Sequence, residues 1–146
     1  MRPRVLLAED HPGVAKALGD ILSAEFELVG AVEDGLSLLD AATRLEPDVI
    51  VADISMPKLD GFNALVQLKA SRPNVKVVFI TMQHEPVIAD LALDSGAFGF
   101  VLKHSAFAEL NPAVRAALDG KTYVSAALAR KSAASRSKTA SNKAQA

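Results

Sequence analysis

Short apolar runs alternate five times with longer segments in which apolar side chains recur every three or four residues. The runs are 5–8, 28–32, 49–52, 75–80 and 98–102. Runs of this length, separated by helical periodicity, predict parallel strands joined by helical crossovers. The pattern therefore predicts an α/β protein built on a five-stranded parallel sheet.

The run 49–52 has the strongest strand pattern of the five. Its four apolar residues lack the polar alternation of a half-exposed strand, so we expect it to be buried on both faces. It ends at Asp53, at the carboxyl end of a central strand, where α/β sheets bind their ligands. Pro57 and the pair Asp60-Gly61 then turn the chain, and Asp60 is expected to cap the third helix.

Prolines and glycines mark the predicted helix ends. Pro12 and Pro86 open the first and fourth helices, where a missing N–H costs nothing. The second helix, 35–45, stops before Pro47, because a residue preceding proline disfavours helical backbone. Gly96 follows the fourth helix at a position suited to left-handed backbone.

The fifth helix has two interpretations. In the first, Phe107, Leu110, Val114 and Leu118 share a buried face and Pro112 kinks one continuous helix. In the second, Asn111 caps and Pro112 opens the main helix, which leaves 105–110 as a separate turn.

Charge divides the chain near Gly120. The net charge of the 146 residues is −1, but all 17 acidic residues lie at or before Asp119. Six of the 16 Lys and Arg residues lie in 121–146. We therefore predict an acidic domain over 1–120 and a basic tail or linker over 121–146. Ser125 is expected to cap a short helix at 125–131. The segment 132–146 lacks large apolar side chains and is expected to be disordered.

Composition excludes several classes of protein. The chain has no cysteine, which rules out disulfides and thiolate metal sites and fits a cytoplasmic location. Its apolar runs are too short to cross a bilayer, so we expect no membrane partner. The three histidines, His11, His84 and His104, are scattered and are interpreted as exposed loop residues rather than a metal site.

Polar residues at the strand ends carry the candidate chemistry. Because the carboxyl ends of parallel strands meet at one edge, we expect Glu9, Asp10, Asp53, Thr81 and Lys103 to converge. Carboxylates this close repel one another unless a cation joins them, and Mg²⁺ is the hard, partly hydrated ion that such oxygens suit. An aspartate in this position can act as a nucleophile towards phosphorus.

These residues resemble the receiver domain of bacterial two-component response regulators. The resemblance covers residues 4–119 and is carried by Glu9-Asp10, by the segment 53–61, by Thr81 after its strand and by the run 100–103. It implies a flavodoxin-like, doubly wound sheet with strand order 2-1-3-4-5.

The resemblance also implies roles for individual residues. Asp53 would accept a phosphoryl group from a histidine kinase, while Glu9, Asp10, Asp53 and the carbonyl of Ser55 would hold Mg²⁺. Thr81 and Lys103 would contact the phosphoryl oxygens. Phe100 would be the aromatic residue whose position reports the switch, and the face of the fourth helix, fifth strand and fifth helix would be a two-state partner surface.

A receiver of this kind is a signalling module and not a metabolic enzyme, although it assists its own phosphorylation and dephosphorylation. The implied partners are a sensor histidine kinase or phosphotransfer protein and a downstream protein or output domain. The resemblance leaves open whether the chain forms a homodimer.

Two alternatives remain open at this point. The segments 10–12 and 120–125 are similar to receivers that precede a helix-turn-helix domain, so the chain could be the receiver portion of a DNA-binding transcription regulator. Nucleic acid would be a partner only through such a domain or through the basic tail. The other alternative is a flavodoxin-like cofactor or hydrolase domain, because this fold serves unrelated functions.

Overall fold

Strands and helices alternate through the residues described in the computed structural model, 2–82 and 85–128. The strands are β1 (Arg4–Ala8), β2 (Glu27–Val32), β3 (Val49–Asp53), β4 (Val77–Thr81), β5 (Gly99–Leu102) and β6 (Tyr123–Val124). The helices are α1 (Pro12–Ser23), α2 (Gly35–Leu45), α3 (Gly61–Ser71), α4 (Pro86–Asp94) and α5 (Ala106–Leu118). A 3-10 turn, Lys103–Ser105, joins β5 to α5.

All strands lie parallel in one sheet of order β2-β1-β3-β4-β5-β6. The predicted order 2-1-3-4-5 is confirmed, but the predicted count of five strands is wrong, because β6 adds to the outer edge of β5. Every residue of β3, β4 and β5 is buried, as expected for central strands with helices on both faces.

Two apolar clusters hold the layers together, one on each face of the sheet. Alternate side chains of each strand enter opposite clusters. Ile50 and Phe79 pack on the face that also buries Leu65, whereas Val51 and Ile80 pack on the other face. The sheet is therefore fixed from both sides, and the strand ends have little freedom to move apart.

Helix α5 is continuous, and Pro112 lies inside it. This matches the first of the two interpretations in its continuity and in the burial of Leu110 and Val114, but Phe107 does not lie on the buried face. Phe107 is 90% exposed, while Ala106, Leu110 and Ala113 are buried. The buried face consists of Ala106, Leu110, Ala113, Val114 and Ala117, with Leu118 partly buried beside it.

The chain beyond α5 packs against the domain as far as it is described. Ser125 and Leu128 are buried, and residues 126–128 have helical backbone. The rest of the predicted helix 125–131 and the predicted disorder over 132–146 fall outside the described residues. The division at residue 120 stays a prediction. Among residues 2–82 and 85–128, no helix is long and apolar enough to cross a membrane.

Candidate functional site

The carboxyl edge of the sheet brings the predicted polar residues together. Glu9 follows β1, Asp53 ends β3, Thr81 ends β4 and Lys103 follows β5. The strand register aligns these ends, since Asp53 pairs with Ile80 and Thr81 pairs with Leu102. The site is therefore assembled by the sheet and not by any one loop.

Lys103 is the centre of the site. Its Nζ lies 2.6 Å from Glu9 Oε1 and 2.7 Å from Asp53 Oδ2. The side chain of Lys103 is 10% exposed, that of Glu9 is fully buried and that of Asp53 is nearly so. One ammonium group thus serves two carboxylates that water barely reaches.

The loop after β3 holds Asp53 from its other side. The N–H of Ser55 donates to Asp53 Oδ1 over 3.1 Å. Asp60 caps α3 as predicted, because its Oδ1 accepts the N–H of Asn63 at 2.8 Å. Between them Lys58 adopts left-handed backbone with φ of 68°, a conformation that costs energy in a residue with a side chain. The loop is therefore fixed at both ends and strained in the middle.

The two carboxylates that share Lys103 have opposite pKa shifts. Burial raises the pKa of Asp53 above its ordinary value, although hydrogen bonds from Lys103 and Ser55 oppose the rise. Burial acts in the same direction on Glu9, but hydrogen bonds from Lys103 and the His11 N–H outweigh it and lower the pKa. Burial opposes the charge of Lys103 too, yet the two carboxylates raise its pKa overall. One lysine therefore does not offset the desolvation of both acids.

Four side chains offer ligand atoms within 4.8 Å of one another, namely Glu9, Asp10, His11 and Asp53. Asp10 Oδ1 is buried, and its ion-pair neighbour within the described residues is the exposed imidazole of His11, whose Nδ1 lies 3.3 Å away without hydrogen-bond geometry. A buried oxygen without a hydrogen bond, among carboxylates that outnumber their one lysine, fits a small divalent cation. The acidic pocket predicted from the sequence is therefore present.

His11 is the residue that sequence reasoning missed. Its side chain is exposed, as expected for a loop histidine, yet its Nδ1 lies 3.2 Å from Glu9 Oε2 and 3.3 Å from Asp10 Oδ1. Its position next to the predicted acidic pair was the available signal. His104 lies in the 3-10 turn after β5, and His84 is outside the described residues.

Thr81 and Phe100 lie on neighbouring strands behind the pocket. Thr81 is buried at the end of β4. Phe100 is fully buried in β5, opposite Phe79 in the ladder. The roles expected for these two residues, and for the carbonyl of Ser55 as a ligand, stay predictions.

The arrangement suits transfer of an anionic group better than proton-transfer catalysis. It provides a carboxylate on a rigid strand, a fixed ammonium group beside it and an acidic pocket for a second cation. These parts position an anion and neutralise its charge.

Residues 5–115 match the family model for the response regulator receiver domain. Among curated relatives, BvgA of Bordetella pertussis, a putative positive transcription regulator of virulence factors, is 35% identical over 124 residues. The response regulator GacA of Pseudomonas viridiflava is 34% identical over 130 residues. These alignments cover 84% and 86% of the chain but 59% and 60% of the relatives. The chain thus spans about three fifths of the length of these relatives.

Solved structures show the same fold. A LuxR-family two-component response regulator from Aurantimonas superposes with a TM-score of 0.89 at 26% identity, covering 93% of this chain and 99% of the other. The isolated receiver domain of RcsB from Salmonella enterica, solved with a beryllofluoride phosphomimetic, superposes with a TM-score of 0.81 at 30% identity. That alignment covers 89% of this chain and 98% of the RcsB domain.

Proposed function

The chain belongs to the response-regulator receiver family, and from that membership we propose that Asp53 is its phosphoacceptor. The phosphodonor is the phosphohistidine of a sensor histidine kinase or of a phosphotransfer protein. The observation that supports the proposal best is the lysine bridge, in which Lys103 holds both Glu9 and Asp53. A flavodoxin-like cofactor or hydrolase domain is not retained, because the receiver family model spans most of the chain.

The proposed step is an in-line displacement at phosphorus. A carboxylate oxygen of Asp53 forms a bond to phosphorus while the bond to the donor imidazole nitrogen breaks, and that nitrogen keeps the electron pair. Lys103 and the N–H of Ser55 already contact the two oxygens of Asp53, so the carboxylate is oriented before the donor arrives. Lys103 then pairs with the new phosphoryl oxygens. The chain thereby assists its own phosphorylation without turning over a metabolite.

Glu9, Asp10 and Asp53 are the side chains proposed to hold Mg²⁺, together with the carbonyl of Ser55. When bound, the ion neutralises the phosphoryl oxygens and lets an anionic donor approach an anionic acceptor. The buried Oδ1 of Asp10, which accepts no hydrogen bond, and the raised pKa of Asp53 both support a requirement for this second cation.

Thr81 and Phe100 are proposed as the switch. Phosphorylation adds acceptor oxygens beside Thr81, whose hydroxyl is drawn towards them. Phe100 occupies a buried position in the described structure, so the two states would differ in whether its ring stays there. The face formed by α4, β5 and α5 would transmit this difference to a downstream protein or output domain.

The phosphoacceptor assignment is tested by labelling the 146-residue chain with acetyl phosphate or phosphoramidate in the presence of Mg²⁺. Intact mass should show one added phosphoryl group, which alkali or hydroxylamine removes as an acyl phosphate. Asp53→Asn should abolish the labelling, and EDTA should prevent it in the wild type. Labelling of Asp53→Asn at the wild-type rate would exclude Asp53 as the acceptor.

Asp60→Asn is the matched control for this experiment. Asp60 lies in the same loop and caps α3, a role that asparagine also fills. We expect the Asp60→Asn variant to label like the wild type, so a loss confined to Asp53→Asn cannot come from general damage to the loop.

A second proposal is that the chain is the receiver portion of a DNA-binding transcription regulator. The supporting observation is that relatives such as BvgA, a putative transcription regulator, extend well beyond the aligned region. The test compares the natural reading frame with residues 1–146 for salt-dependent binding to DNA fragments. A reading frame that ends at Ala146, together with no DNA binding at low salt, would contradict it.

A further inference from the structure

The segment after α5 is joined to the sheet by more than strand pairing. The N–H of Tyr123 donates to the carbonyl of Phe98, and the N–H of Ser125 donates to the carbonyl of Phe100, both over 2.9 Å. Further along, Leu128 is buried in the same apolar cluster as the Phe100 side chain. We call residues 123–128 the strap. It follows β5 on the outside, along the strand that leads to Lys103.

Ser125 completes the β5 ladder with its side chain. In a parallel pair, the carbonyl of Phe100 and the N–H of Leu102 face the same neighbouring strand. Strand β6 ends at Val124, so the N–H of Leu102 has no ladder partner among its residues. The hydroxyl oxygen of Ser125 accepts that N–H over 2.9 Å, and Ser125 is fully buried. The last residue of β5 is therefore held by the strap.

Glu109 organises the strap from α5. Its carboxylate accepts the hydroxyl of Ser125 at 2.8 Å, the hydroxyl of Tyr123 at 3.0 Å and the N–H of Ala126 at 2.9 Å. Although burial opposes the charge of Glu109, these three hydrogen bonds and the nearby side chain of Ser105 outweigh it and lower the pKa of the carboxyl group.

Glu109 and Ser125 contact the chain on both sides of Lys103. Leu102, which precedes Lys103, is hydrogen-bonded to Ser125 and through it to Glu109, and the side chain of Ser105, which follows Lys103 by two residues, lies near the same carboxylate. The Lys103 side chain then has to reach Glu9 and Asp53 from this fixed backbone. A shift of the turn at 103–105 would therefore move the ammonium group relative to both carboxylates.

We propose that Glu109 and Ser125 are positioning residues for Lys103, and that the strap is a working part of the phosphoacceptor site. This inference rests on the proposed function, because it concerns the lysine that serves Asp53. The coupling is reciprocal by thermodynamic necessity: if the docked strap favours the phosphorylated site, phosphorylation tightens the strap by the same factor. The strap thereby carries the state of Asp53 to whatever follows residue 128.

The inference is tested by the rate of labelling with acetyl phosphate at a fixed, subsaturating concentration in Mg²⁺. We expect Ser125→Ala and Glu109→Gln to label about threefold to tenfold more slowly than the wild type, as the loss of one hydrogen bond at the site would produce. Asn111→Ala is the matched control, because Asn111 also lies on α5 but donates to the carbonyl of Ile21 in α1. The control variant should lose stability yet label at the wild-type rate per folded molecule.

The fluorescence of Tyr123 is a second readout. It should not respond to the state of Asp53 if the strap only stabilises the fold. It is the only tyrosine in a chain without tryptophan, and its hydroxyl donates to Glu109. Addition of beryllofluoride with Mg²⁺, a mimic of the phosphorylated state, should change Tyr123 fluorescence in the wild type. The shift should be smaller in Ser125→Ala and absent in Asp53→Asn.

The outcomes separate the two proposals. Failure of the wild type to label would overturn the phosphoacceptor assignment and this inference with it. If the wild type is labelled and the Ser125→Ala and Glu109→Gln variants are labelled at the same rate, only the inference is overturned. If neither variant folds, the wild-type fluorescence decides: a change on beryllofluoride binding supports the coupling, and no change overturns it.

Discussion

Lys103 and Asp53 are 50 residues apart in the sequence, and the Nζ of one lies 2.7 Å from Oδ2 of the other. The pair joins the ends of β3 and β5, two strands separated in the sheet by β4. Because Lys103, which follows β5, also contacts Glu9 after β1, a single side chain joins the ends of β1, β3 and β5. We therefore expect charge at this edge to affect both stability and ligand binding.

Replacing Lys103 with methionine should destabilise the protein when no divalent ion is present. The change leaves Glu9 and Asp53 buried without their cation, which typically costs about 3 kcal/mol for a buried pair. Loss of the Lys103 ammonium group should also tighten Mg²⁺ binding, because a competing positive charge is gone. Phosphorylation of Asp53 should become slower. Urea unfolding in EDTA and calorimetric titration with Mg²⁺ measure the two effects.

Lys16→Met is the control for the Lys103 variant. Lys16 pairs with Asp20 on the exposed face of α1, where an ion pair contributes less than about 1 kcal/mol. If the two methionine variants unfold at the same urea concentration, Lys103 does not stabilise the acidic pocket.

Asp53→Asn should be more stable than the wild type at pH 7 in EDTA. The folded protein raises the pKa of Asp53, so folding disfavours its ionised form above that pKa, and a neutral amide removes the penalty. We therefore expect the variant to melt at a higher temperature than the wild type. The gain should shrink as the pH falls through the folded pKa of Asp53, where the wild-type carboxyl becomes neutral too. A variant that melts below the wild type at pH 7 would contradict the assigned direction.

Glu9→Gln should have the opposite effect. The folded pKa of Glu9 lies below the ordinary value of 4.5, so its ionised form stabilises the fold at pH values above 4.5. That contribution disappears as the pH falls through the folded pKa. The variant should therefore be less stable than the wild type at pH 7, with the difference closing below pH 4.5. Urea midpoints measured in EDTA from pH 7 to pH 3 give the curve, and a difference that does not vary with pH would refute the prediction.

The strand-end residues could be predicted because their placement depends on features that a sequence carries directly. The apolar run before Asp53 predicts a buried strand, and parallel topology then forces every strand end to the same edge. Glu9, Asp53 and Lys103 converge for this reason, in spite of the distance between them in the chain. Affinity for Mg²⁺ and a nucleophilic role for Asp53 were predicted from the carboxylates themselves, whereas the histidine-kinase donor and the switch roles of Thr81 and Phe100 came only from the resemblance to the receiver family.

The strand pairing of the strap and the exposure of Phe107 on α5 could not be predicted in the same way. A strand of two residues, Tyr123–Val124, has no periodicity, and the strap is held to β5 by backbone hydrogen bonds and by the buried hydroxyl of Ser125. On α5 the large Phe107 outweighed the small Ala106 in the hydrophobic pattern, although contact with the sheet needs the small side chain. Pro112 is accommodated inside the helix because Ala108, whose carbonyl loses its usual partner, is exposed and can be solvated by water.

Gly61→Ala should damage the Asp53 loop, whereas Gly13→Ala should stabilise the protein. A Cβ at Gly61 would lie 2.6 Å from the carbonyl oxygen of Asp53 and 2.9 Å from the Cα of Ile54, which are backbone atoms that cannot move aside independently. To relieve these contacts α3 must shift away from β3, which costs about 1–3 kcal/mol of stability.

A Cβ at Gly13, in the first turn of α1, would meet no atom within 4 Å, so alanine there should raise the free energy of unfolding by about 0.5–1 kcal/mol. Urea unfolding of both variants measures the difference. Because the shift of α3 displaces the strand end that carries Asp53, the Gly61→Ala variant should also be phosphorylated more slowly. The Gly13→Ala variant should be labelled at the wild-type rate. If the two variants are equally stable, α3 does not fix Asp53.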